Sequence, residues 1–335
     1  MSDMEKILLG HGSGGKMMHD LVSAHFAPAF GIEGVADAAV LKFPKGARIA
    51  LSTDSYVVSP LFFPGGNIGD LAVNGTVNDL AVSGARPLYL TAGFIIEEGF
   101  PMADLDRIIR SMAQAAKAAG VKVVAGDTKV VDKGKADGVF INTSGVGVVP
   151  DGVEMSAGRI RVGQKIIVSG SIGRHGVAVM GERNGLSFDP PVTSDSAPLN
   201  VLAEAILEMP DKVAVMRDPT RGGLATTLKE FALESGLALR IDEESVPVEP
   251  AVRGACDLLG LDPLYVANEG TLLAVVEPDV SEYLLEKMRQ LPAGSGATMI
   301  GEVVGMPGGA VVMSTAIGGS RLVDMLQGEQ LPRIC

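Results

Sequence analysis

Segments with the periodicity of strands alternate along this chain with segments that have the periodicity of helices, which restricts the fold to a mixed one. Residues 47–53, 88–96, 121–126 and 138–149 have the apolar pattern of strands, and residues 16–27, 68–84 and 105–119 have that of helices. With 47% hydrophobic residues and 43 glycines, the chain is predicted to be a compact α/β (α+β) protein with many tight turns.

A polar, glycine-containing stretch at residues 150–161 marks a predicted boundary between two domains. A chain of 335 residues is long enough for two cores, and the strand-like residues 165–170 restart the pattern after the boundary. We therefore predict domains at 1–155 and 156–327. Residues 328–335 have no periodicity and are predicted to be a flexible tail.

Charge and hydropathy exclude several classes of function. The net charge of −12 argues against nucleic-acid binding, which needs a basic face. No apolar stretch approaches the roughly 20 residues of a membrane helix, and we expect no signal peptide. Two cysteines make no disulfide framework, so we expect a cytoplasmic location.

A glycine-rich loop opens the first helix with the residues Gly12, Ser13, Gly14, Gly15 and Lys16. Glycines let backbone N–H groups approach a phosphate closely, and a helix N-terminus adds partial positive charge. The spacing is not that of a Walker loop. A flexible turn before a helix explains the loop equally well, so the loop alone decides nothing.

A set of aspartates occupies turn-like contexts near the ends of predicted strands and helices. The set is Asp37, Asp54, Asp79, Asp127 and Asp218. Mg²⁺ prefers oxygen ligands from one or two carboxylates, water and substrate phosphates, so such a cluster suits Mg-ATP. Each aspartate alone is better explained as a cap of a turn or helix. Together, beside a glycine loop, they favour the nucleotide site.

The segment 218–223 (DPTRGG) precedes a predicted helix. Pro219 fixes the turn, Gly222 leaves room for a ligand, and Arg221 offers a planar guanidinium to a phosphate oxygen. An ordinary loop-to-helix junction is the alternative. We favour a binding role.

The chain ends on a thiol, Cys335. Eight extended residues reach about 25 Å, so a tail of this length can move the sulfur between a cleft and another protein. The lipid-anchor pattern needs a cysteine four residues from the end and does not fit. The alternative is an accidental terminal cysteine. Cys256 lies on an apolar helix face and is predicted to be a core residue.

The four histidines show no metal-ligand spacing. His11 flanks the glycine loop and His175 lies in a glycine-flanked turn, so either is a candidate to contact a phosphate. His19 and His25 are expected at helix surfaces.

The ordered motifs resemble those of the HypE family of NiFe-hydrogenase maturation proteins. They are HGSGGKMMHDLV, DAAVL, STDSYVVSPLFFPGGNIGDLAVNGTVNDLAVSGARP, AGDTKVV, DPTRGGLATTL, VANEGTL and the terminal PRIC. The resemblance covers essentially the whole chain, and PRIC is its most specific element. Arg174 stands where the family pattern has an acidic residue. Asn67 and Asp70 also depart from the pattern and are expected at the surface.

The resemblance implies the two-domain fold of aminoimidazole ribonucleotide synthetase, with an N-terminal mixed sheet that pairs in a homodimer and ATP in a cleft near the interface. Residues Asp37, Asp54, Asp79 and Asp218 would hold Mg²⁺ and ATP. Residues 12–16 would cover the phosphates. Further nucleotide contacts would come from Asn78, Asp127, Thr128, Arg221 and Gly222. Lys129 and Asp127, with Glu269, would lie at the reacting group.

The resemblance also implies a reaction. A HypF-type carbamoyltransferase loads a carbamoyl group onto Cys335, ATP activates its oxygen, and loss of phosphate leaves a thiocyanate. A HypC–HypD-type complex accepts the cyanide. Glu269 is the candidate base, with Lys129 as a helper; simple ion pairs are the alternative for both.

Two other functions fit parts of the sequence. One is an ATP-dependent phosphotransferase for a small molecule, which would not need Cys335. The other is a non-catalytic carrier that binds ATP only to position a thiol-bound group.

Overall fold

The structure is a computed structural model that describes residues 6–32, 38–326, 328 and 331–335. Its N-terminal domain contains β1 (Arg48–Tyr56), β2 (Phe62–Phe63), β3 (Gly66–Asn67), β4 (Arg86–Glu97), β5 (Lys122–Val131) and β6 (Val139–Val149). The helices are a 3-10 turn (Leu9–Gly12), α1 (Lys16–Leu21), a π-helical turn (Val22–Phe26), α2 (Ala27–Phe30), α3 (Ile68–Val82) and α4 (Met102–Ala119).

The C-terminal domain contains β7 (Lys165–Val168), β8 (Val213–Arg217), β9 (Ala238–Asp242), β10 (Leu273–Val276), β11 (Thr298–Val304), β12 (Val311–Ser314) and β13 (Ser320–Val323). Its α-helices are α5 (Arg174–Arg183), α6 (Asn200–Ile206), α7 (Gly223–Ser235), α8 (Pro250–Leu259) and α9 (Ser281–Arg289). Short 3-10 helices cover Ala157–Arg159, Pro210–Lys212, Glu243–Ser245, Pro263–Tyr265 and Pro292–Gly294.

The N-terminal sheet has the strand order β1-β6-β4-β5. Strands β4 and β5 are parallel and the other pairs are antiparallel. Helices α3 and α4 cover one face, where their apolar side chains join the buried strand residues in one core. Ile49, Leu51 and Ile95 project from the other face and are 47%, 77% and 45% exposed. Within the described residues, this second face is therefore uncovered and mixes apolar side chains with polar ones such as Asn142 and Ser144, and β1 and β5 are free edges.

The C-terminal sheet has the order β13-β12-β9-β11-β7-β10-β8 and is antiparallel except for the β9–β12 pair. Helix α7 packs on one face, and α6 and α9 pack on the other, because alternate residues of the central strands are apolar on both faces. The predicted domain boundary falls between β6 and β7. No helix among residues 6–32 and 38–326 is long and apolar enough to cross a membrane.

Two predicted strands are longer in the structure. Strand β1 continues through Tyr56, so Asp54 lies within it, and β5 continues through Val131, so Asp127 lies within a strand and not in a turn. The polar sequence GDTK has a low strand propensity, and pairing with β4 decides its conformation.

Helix α3 lies at the centre of the molecule and begins with a capping box. Asn67 accepts a hydrogen bond from Gly69 N, and Asp70 Oδ1 accepts one from Asn67 N at 2.7 Å. Asp70 also accepts from Ser111 and Ser196, and burial raises its pKa. The expectation that Asn67 and Asp70 are surface residues is wrong, because they begin a helix buried between the domains.

A backbone constraint at the start of α7 generates a testable prediction. Gly223 has φ +60, and a Cβ there would lie 2.5 Å from Leu264 O. Gly236, after the end of the same helix, has φ +68 and open space around it. We expect Gly236→Ala to lower the free energy of unfolding by about 1 kcal/mol and Gly223→Ala by about 3 kcal/mol or more, measured by urea denaturation. Equal losses would show that the contact with Leu264 is unimportant.

Candidate active site

A cavity of about 120 Å³ lies between the two domains and is lined mainly by carboxylates; we call it the acidic cavity. Its lining residues are Thr53, Asp54, Gly75, Asp79, Asp218, Thr220, Arg221, Glu269 and Cys335. The N-terminal domain contributes β1 and α3, the C-terminal domain contributes two loops, and the chain end contributes the sulfur. Three distant parts of the sequence therefore meet at one point.

Strand β1 and helix α3 position the first two carboxylates. Side chains alternate along β1, so Asp54 points to the same face as the buried Tyr56, toward α3. Asp79 lies in the last turn of α3 and accepts a hydrogen bond from Ser52 Oγ at 2.7 Å. Asp54 accepts one from Ser55 N at 2.8 Å and lies 3.8 Å from Arg221.

The loop after β8 supplies Asp218 and Arg221. Asp218 is buried, whereas the Arg221 side chain is 77% exposed. The loop is tied to the segment before β10, because Asn268 Nδ2 donates to Pro219 O at 2.8 Å. Gly222 has φ +75, a conformation that suits glycine and starts α7.

Glu269 is only 2% exposed and is held by two residues that the sequence analysis missed. Asp195 accepts hydrogen bonds from the N–H groups of Glu269 and Gly270 and from Thr271 Oγ1. Asn268 is fully buried and also accepts from Gly173 N at 2.6 Å. The sequence could have pointed to Asn268, because it directly precedes Glu269. Nothing in the sequence around Asp195 shows that Asp195 lies beside Glu269.

Burial raises the pKa values of three cavity carboxylates, Glu269, Asp218 and Asp79. It raises the pKa of Glu269 well above its ordinary value, and the charges of Asp218 and Asp195 raise it further. Burial, followed by the charge of Asp79, raises the pKa of Asp218 to about 7. Burial also raises the pKa of Asp79, against the hydrogen bond from Ser52. These groups destabilise one another's charged forms, as expected of a site built to receive a cation or a proton.

The terminal sulfur lies in the same cavity. Burial, and then the charge of Glu269, raises the pKa of the Cys335 thiol to about 12, although Arg221 acts in the opposite direction. Its main-chain oxygen accepts a hydrogen bond from Val57 N at 3.2 Å, just beyond β1. Residues 331–335 form no helix or strand, yet Ile334 is only 3% exposed. The tail is docked in this conformation, with a neutral thiol.

A second group of predicted residues lies at β5, away from the acidic cavity. Lys129 Nζ pairs with Asp127 Oδ1 at 2.8 Å, which lowers the pKa of Asp127, and both side chains are exposed. The loop 12–16 packs here, because a Cβ on Gly12 would lie 2.2 Å from Val130 N. Strands β1 and β5 are opposite edges of a four-stranded sheet, about 14 Å apart. The expectation that Lys129 and Asp127 meet the sulfur is not met within one chain.

Asp127 and Thr128 border a different, mostly apolar pocket of about 300 Å³. Among its other lining residues are Met18, Phe26 and Phe94. Ser13 to Lys16 are exposed and precede Met18 in the chain. Flat apolar walls with polar groups at the rim suit a heterocyclic base with an attached sugar.

Several other expectations need correction or fall outside the structure. Asn78 is fully buried and bonds only to main-chain groups (Ala197 O, Glu269 O and Leu199 N), so it joins the domains and does not face a nucleotide. His175 bonds to Ser194 and Ile334 O, and Arg174 to Thr193, not to a phosphate site. His11 is buried against Leu8. Asp37 lies outside the described residues.

The donor set partly fits Mg²⁺. Asp54, Asp79 and Asp218 border one small cavity, and burial, together with neighbouring carboxylates, raises the pKa values of Asp79 and Asp218. In the described part of the chain, however, no three His, Cys, Asp or Glu side chains converge closely enough to hold a metal by themselves. The residues therefore fit an ion that takes one or two carboxylates and completes its shell from phosphate and water.

Comparison with known proteins decides the family. The model of AIR synthase related proteins matches twice, its N-terminal domain at residues 35–149 and its C-terminal domain at residues 161–314. A relative from Bradyrhizobium diazoefficiens named carbamoyl dehydratase HypE is 54% identical over 331 residues, 98% of this chain and 95% of the relative. The chain belongs to the HypE family.

Solved HypE structures have the same fold. A HypE crystal structure in complex with ATP matches with a TM-score of 0.94 at 48% identity, covering 98% of this chain and 99% of that chain. A HypE–HypF complex contains a chain that matches with a TM-score of 0.81 at 49% identity, covering 93% and 100%. These matches confirm the predicted family and its two-domain fold.

The buried carboxylates predict a pH dependence of stability. The pKa of Asp218 is about 7 in the folded state against an ordinary 3.8, so folding favours its protonated form. The free energy of unfolding should therefore fall as pH rises from about 4 to about 7. In metal-free buffer we expect a lower urea midpoint at about pH 8 than at about pH 5, and a smaller difference in Asp218→Asn.

Asp127→Asn is the matched control, because the Asp127 carboxylate is exposed and its pKa is lowered. It should leave the pH dependence almost unchanged. An Asp218→Asn protein with the same pH dependence as the parent would contradict the assigned burial effect.

Proposed function

We propose that this chain is an ATP-dependent carbamoyl dehydratase that acts on its own C-terminal cysteine and makes the cyanide ligand of NiFe-hydrogenase. The observation that carries the proposal is the position of the Cys335 sulfur inside the acidic cavity, beside the buried Glu269. The relatives named carbamoyl dehydratase HypE support the same reaction. The chemistry must therefore take place on a group attached to that sulfur.

The reaction converts an S-carboxamide into an S-cyanate. The carbamoyl oxygen attacks the γ-phosphorus of ATP and releases ADP, so the oxygen becomes part of a phosphate ester that can leave. The C–O bond then breaks with its electron pair going to phosphate, and both N–H protons are removed as the C≡N bond forms. The sum is S-carboxamide and ATP to S-cyanate, ADP and phosphate.

Glu269 is the proposed base for the N–H protons. Its main-chain N–H is held by Asp195 and its carbonyl by Asn78, so the carboxyl group has a fixed position. The raised pKa makes the Glu269 carboxylate a stronger proton acceptor than an exposed glutamate. The sulfur need not ionise in the cavity, because it is already acylated when it reacts.

The nucleotide is proposed to span both groups of residues. ATP is supported by the ATP complex of a HypE protein. The loop 12–16, Asp127 and Thr128 would bind it on one side, and Asp54, Asp79, Asp218, Arg221 and Gly222 would face its phosphates on the other. Mg²⁺, when bound to those carboxylates and the phosphates, would neutralise charge on the transferred phosphoryl group.

A homodimer would bring together the two groups of proposed nucleotide-binding residues, those at β5 and those at the acidic cavity. The uncovered face, with the exposed Ile49, Leu51 and Ile95, and the free edges β1 and β5 are sites at which a second copy can complete the sheet. Pairing β1 with the partner's β5 would close two four-stranded sheets into a barrel and bring Lys129 of one chain toward Asp54 of the other. In that arrangement Lys129 would assist catalysis in trans.

Two other proteins are proposed to act with this chain. A HypF-type carbamoyltransferase would load Cys335, in keeping with the solved HypE–HypF complex. A HypC–HypD-type complex would accept the cyanide. We place the reaction in the cytoplasm, where thiols remain reduced.

Intact mass spectrometry tests the reaction. The carbamoylated protein should lose the mass of one water at Cys335 after addition of Mg-ATP, and should not lose it without ATP. Glu269→Gln, which keeps the shape of the side chain, should slow this loss about 10²- to 10⁴-fold. Glu204→Gln, at an exposed position, should react at the parent rate.

Two results would contradict the proposal. An unchanged mass in a protein that still supports hydrogenase assembly would indicate a non-catalytic carrier. ATP consumption that survives deletion of Cys335 and requires an added small molecule would indicate a phosphotransferase.

Mixed dimers test the role of Lys129 in trans. Lys129→Ala and Glu269→Gln should each be nearly inactive as homodimers. If the partner supplies Lys129, a dimer of one Lys129→Ala chain and one Glu269→Gln chain contains one intact site, so about half of the parent activity per dimer should return. A mixed dimer as inactive as the two homodimers would place both residues in one chain's site.

A further inference from the structure

The docked tail is held through its main chain. The body of the protein donates a hydrogen bond to a main-chain oxygen of each residue from 332 to 335; the first three are peptide carbonyls, and the last belongs to the carboxylate of Cys335. The donors are Arg183 Nη1 to Pro332 O at 2.8 Å, Ser59 N and Arg183 Nη2 to Arg333 O at 3.2 and 2.8 Å, His175 Nε2 to Ile334 O at 2.8 Å, and Val57 N to Cys335 O at 3.2 Å. The path of the tail is thus fixed without regular secondary structure.

Arg183, at the end of α5, connects the tail to the N-terminal domain. Besides its two tail carbonyls, its guanidinium donates through Nε to Ser59 O at 2.8 Å. The oxygen atoms that accept hydrogen bonds from Arg183 are all main-chain carbonyls. Its planar guanidinium is therefore matched to the backbone of the tail and of Ser59, and not to a carboxylate. Removal of Arg183 would leave two tail carbonyls with fewer donors.

His175, in the first turn of α5, holds the next carbonyl. Ser194 Oγ accepts from Ser196 N at 3.0 Å, so its own hydroxyl proton is free to reach His175 Nδ1 at 2.8 Å. The proton of the neutral imidazole is then on Nε2, which donates to Ile334 O. The ring is fully buried and meets Phe63 edge-on at 5.4 Å, so it has one orientation.

Ile334 is the apolar anchor of the tail. It is 3% exposed and belongs to the N-terminal core, together with Val179 of α5 and Ala267 beside Glu269. Val57 N also holds the main-chain oxygen of Cys335. This hydrogen bond and the burial of Ile334 together place the Cys335 thiol in the acidic cavity. The position of the sulfur therefore depends on contacts several residues before it.

We propose that Arg183 and His175 are positioning residues whose hydrogen bonds to the tail, here called the latch, hold it in the cavity. These bonds set the equilibrium between the docked and the released sulfur. The docked sulfur is partly buried by the tail and the cavity walls. Attack on an external electrophile requires an exposed thiolate. A weaker latch should accelerate modification of Cys335 and slow any reaction that needs it docked.

Thiol labelling tests the latch without ATP or a partner protein, so its outcome is separate from that of the proposed dehydratase reaction. The full-length protein is treated with iodoacetamide, and the rate at each cysteine is followed by peptide mass spectrometry. Hydrogen bonds from a charged group contribute strongly when buried, so Arg183→Ala should raise the rate at Cys335 about 10- to 100-fold. His175→Phe, which fills the site but donates no bond, should raise it about tenfold.

The chain provides its own control for unfolding. Cys256 is fully buried in α8, so its labelling reports loss of the fold and should not change in these variants. Glu182→Gln, the exposed neighbour of Arg183 on α5, should label at the parent rate. Arg183→Lys and His175→Gln keep a donor and should give intermediate rates at Cys335.

Two results would overturn the proposal. One is a Cys335 rate in Arg183→Ala and His175→Phe that equals that of Glu182→Gln. The other is a parent protein whose Cys335 already reacts as fast as a free cysteine peptide. If Cys256 also becomes reactive in Arg183→Ala, the milder Arg183→Lys and His175→Gln variants decide the question in the same way.

Discussion

The burial of several carboxylates at one domain junction is the constraint on which the rest of the structure depends. Asp218 and Glu269 are removed from water and lie near Asp54 and Asp79, so each raises the cost of ionising the others. A protein can tolerate such a cluster only where a proton, a cation or a cationic transition state relieves it. The hydrogen bonds of Asn268 and Asp195 hold the loops in place against this repulsion.

The same environment separates two tasks of Cys335. In the cavity the thiol is neutral and shielded, which is unsuited to receiving a group from another protein but suited to reacting after the group has been attached. A tail held by main-chain hydrogen bonds, the buried Ile334 and the contacts of Arg333 with Asp137 and Val57 can leave and return without unfolding either domain, because few side chains have to be repacked. The position of the tail thus determines which of the two tasks Cys335 can perform.

The N-terminal sheet explains why the predicted nucleotide residues lie in two groups. Asp54 and Asp127 occupy opposite edges of one sheet and point to opposite faces, so no rotation of side chains within a chain can bring them together. The face of that sheet opposite α3 and α4 carries the exposed Ile49, Leu51 and Ile95 beside polar residues such as Asn142 and Ser144, and exposed apolar groups and free strand edges favour association. The proposed homodimer would cover this face and bring the two groups of residues together.

The sequence by itself determined the elements, the two-domain class and the family. The helix 102–119 and strand 139–149 follow from strong periodicity, and Cys335 and the motif order identify the HypE family. It also named Glu269, Asp54, Asp79 and Asp218, which line one cavity in the structure. It did not show that Lys129 and Asp127 lie at the opposite sheet edge, because a one-dimensional pattern does not show which edge a strand occupies.

Only the tertiary structure decided the roles of residues that act through burial or through main-chain contacts. Asn78 and His175 carry polar side chains that also suit a phosphate site, but both are fully enclosed and bond to the backbone of distant segments. Asp195 and Arg183 lie in unremarkable sequence and gain their partners only when residues more than seventy positions apart meet. Local sequence determines periodicity and propensity, whereas burial and long-range hydrogen bonds exist only in the folded chain.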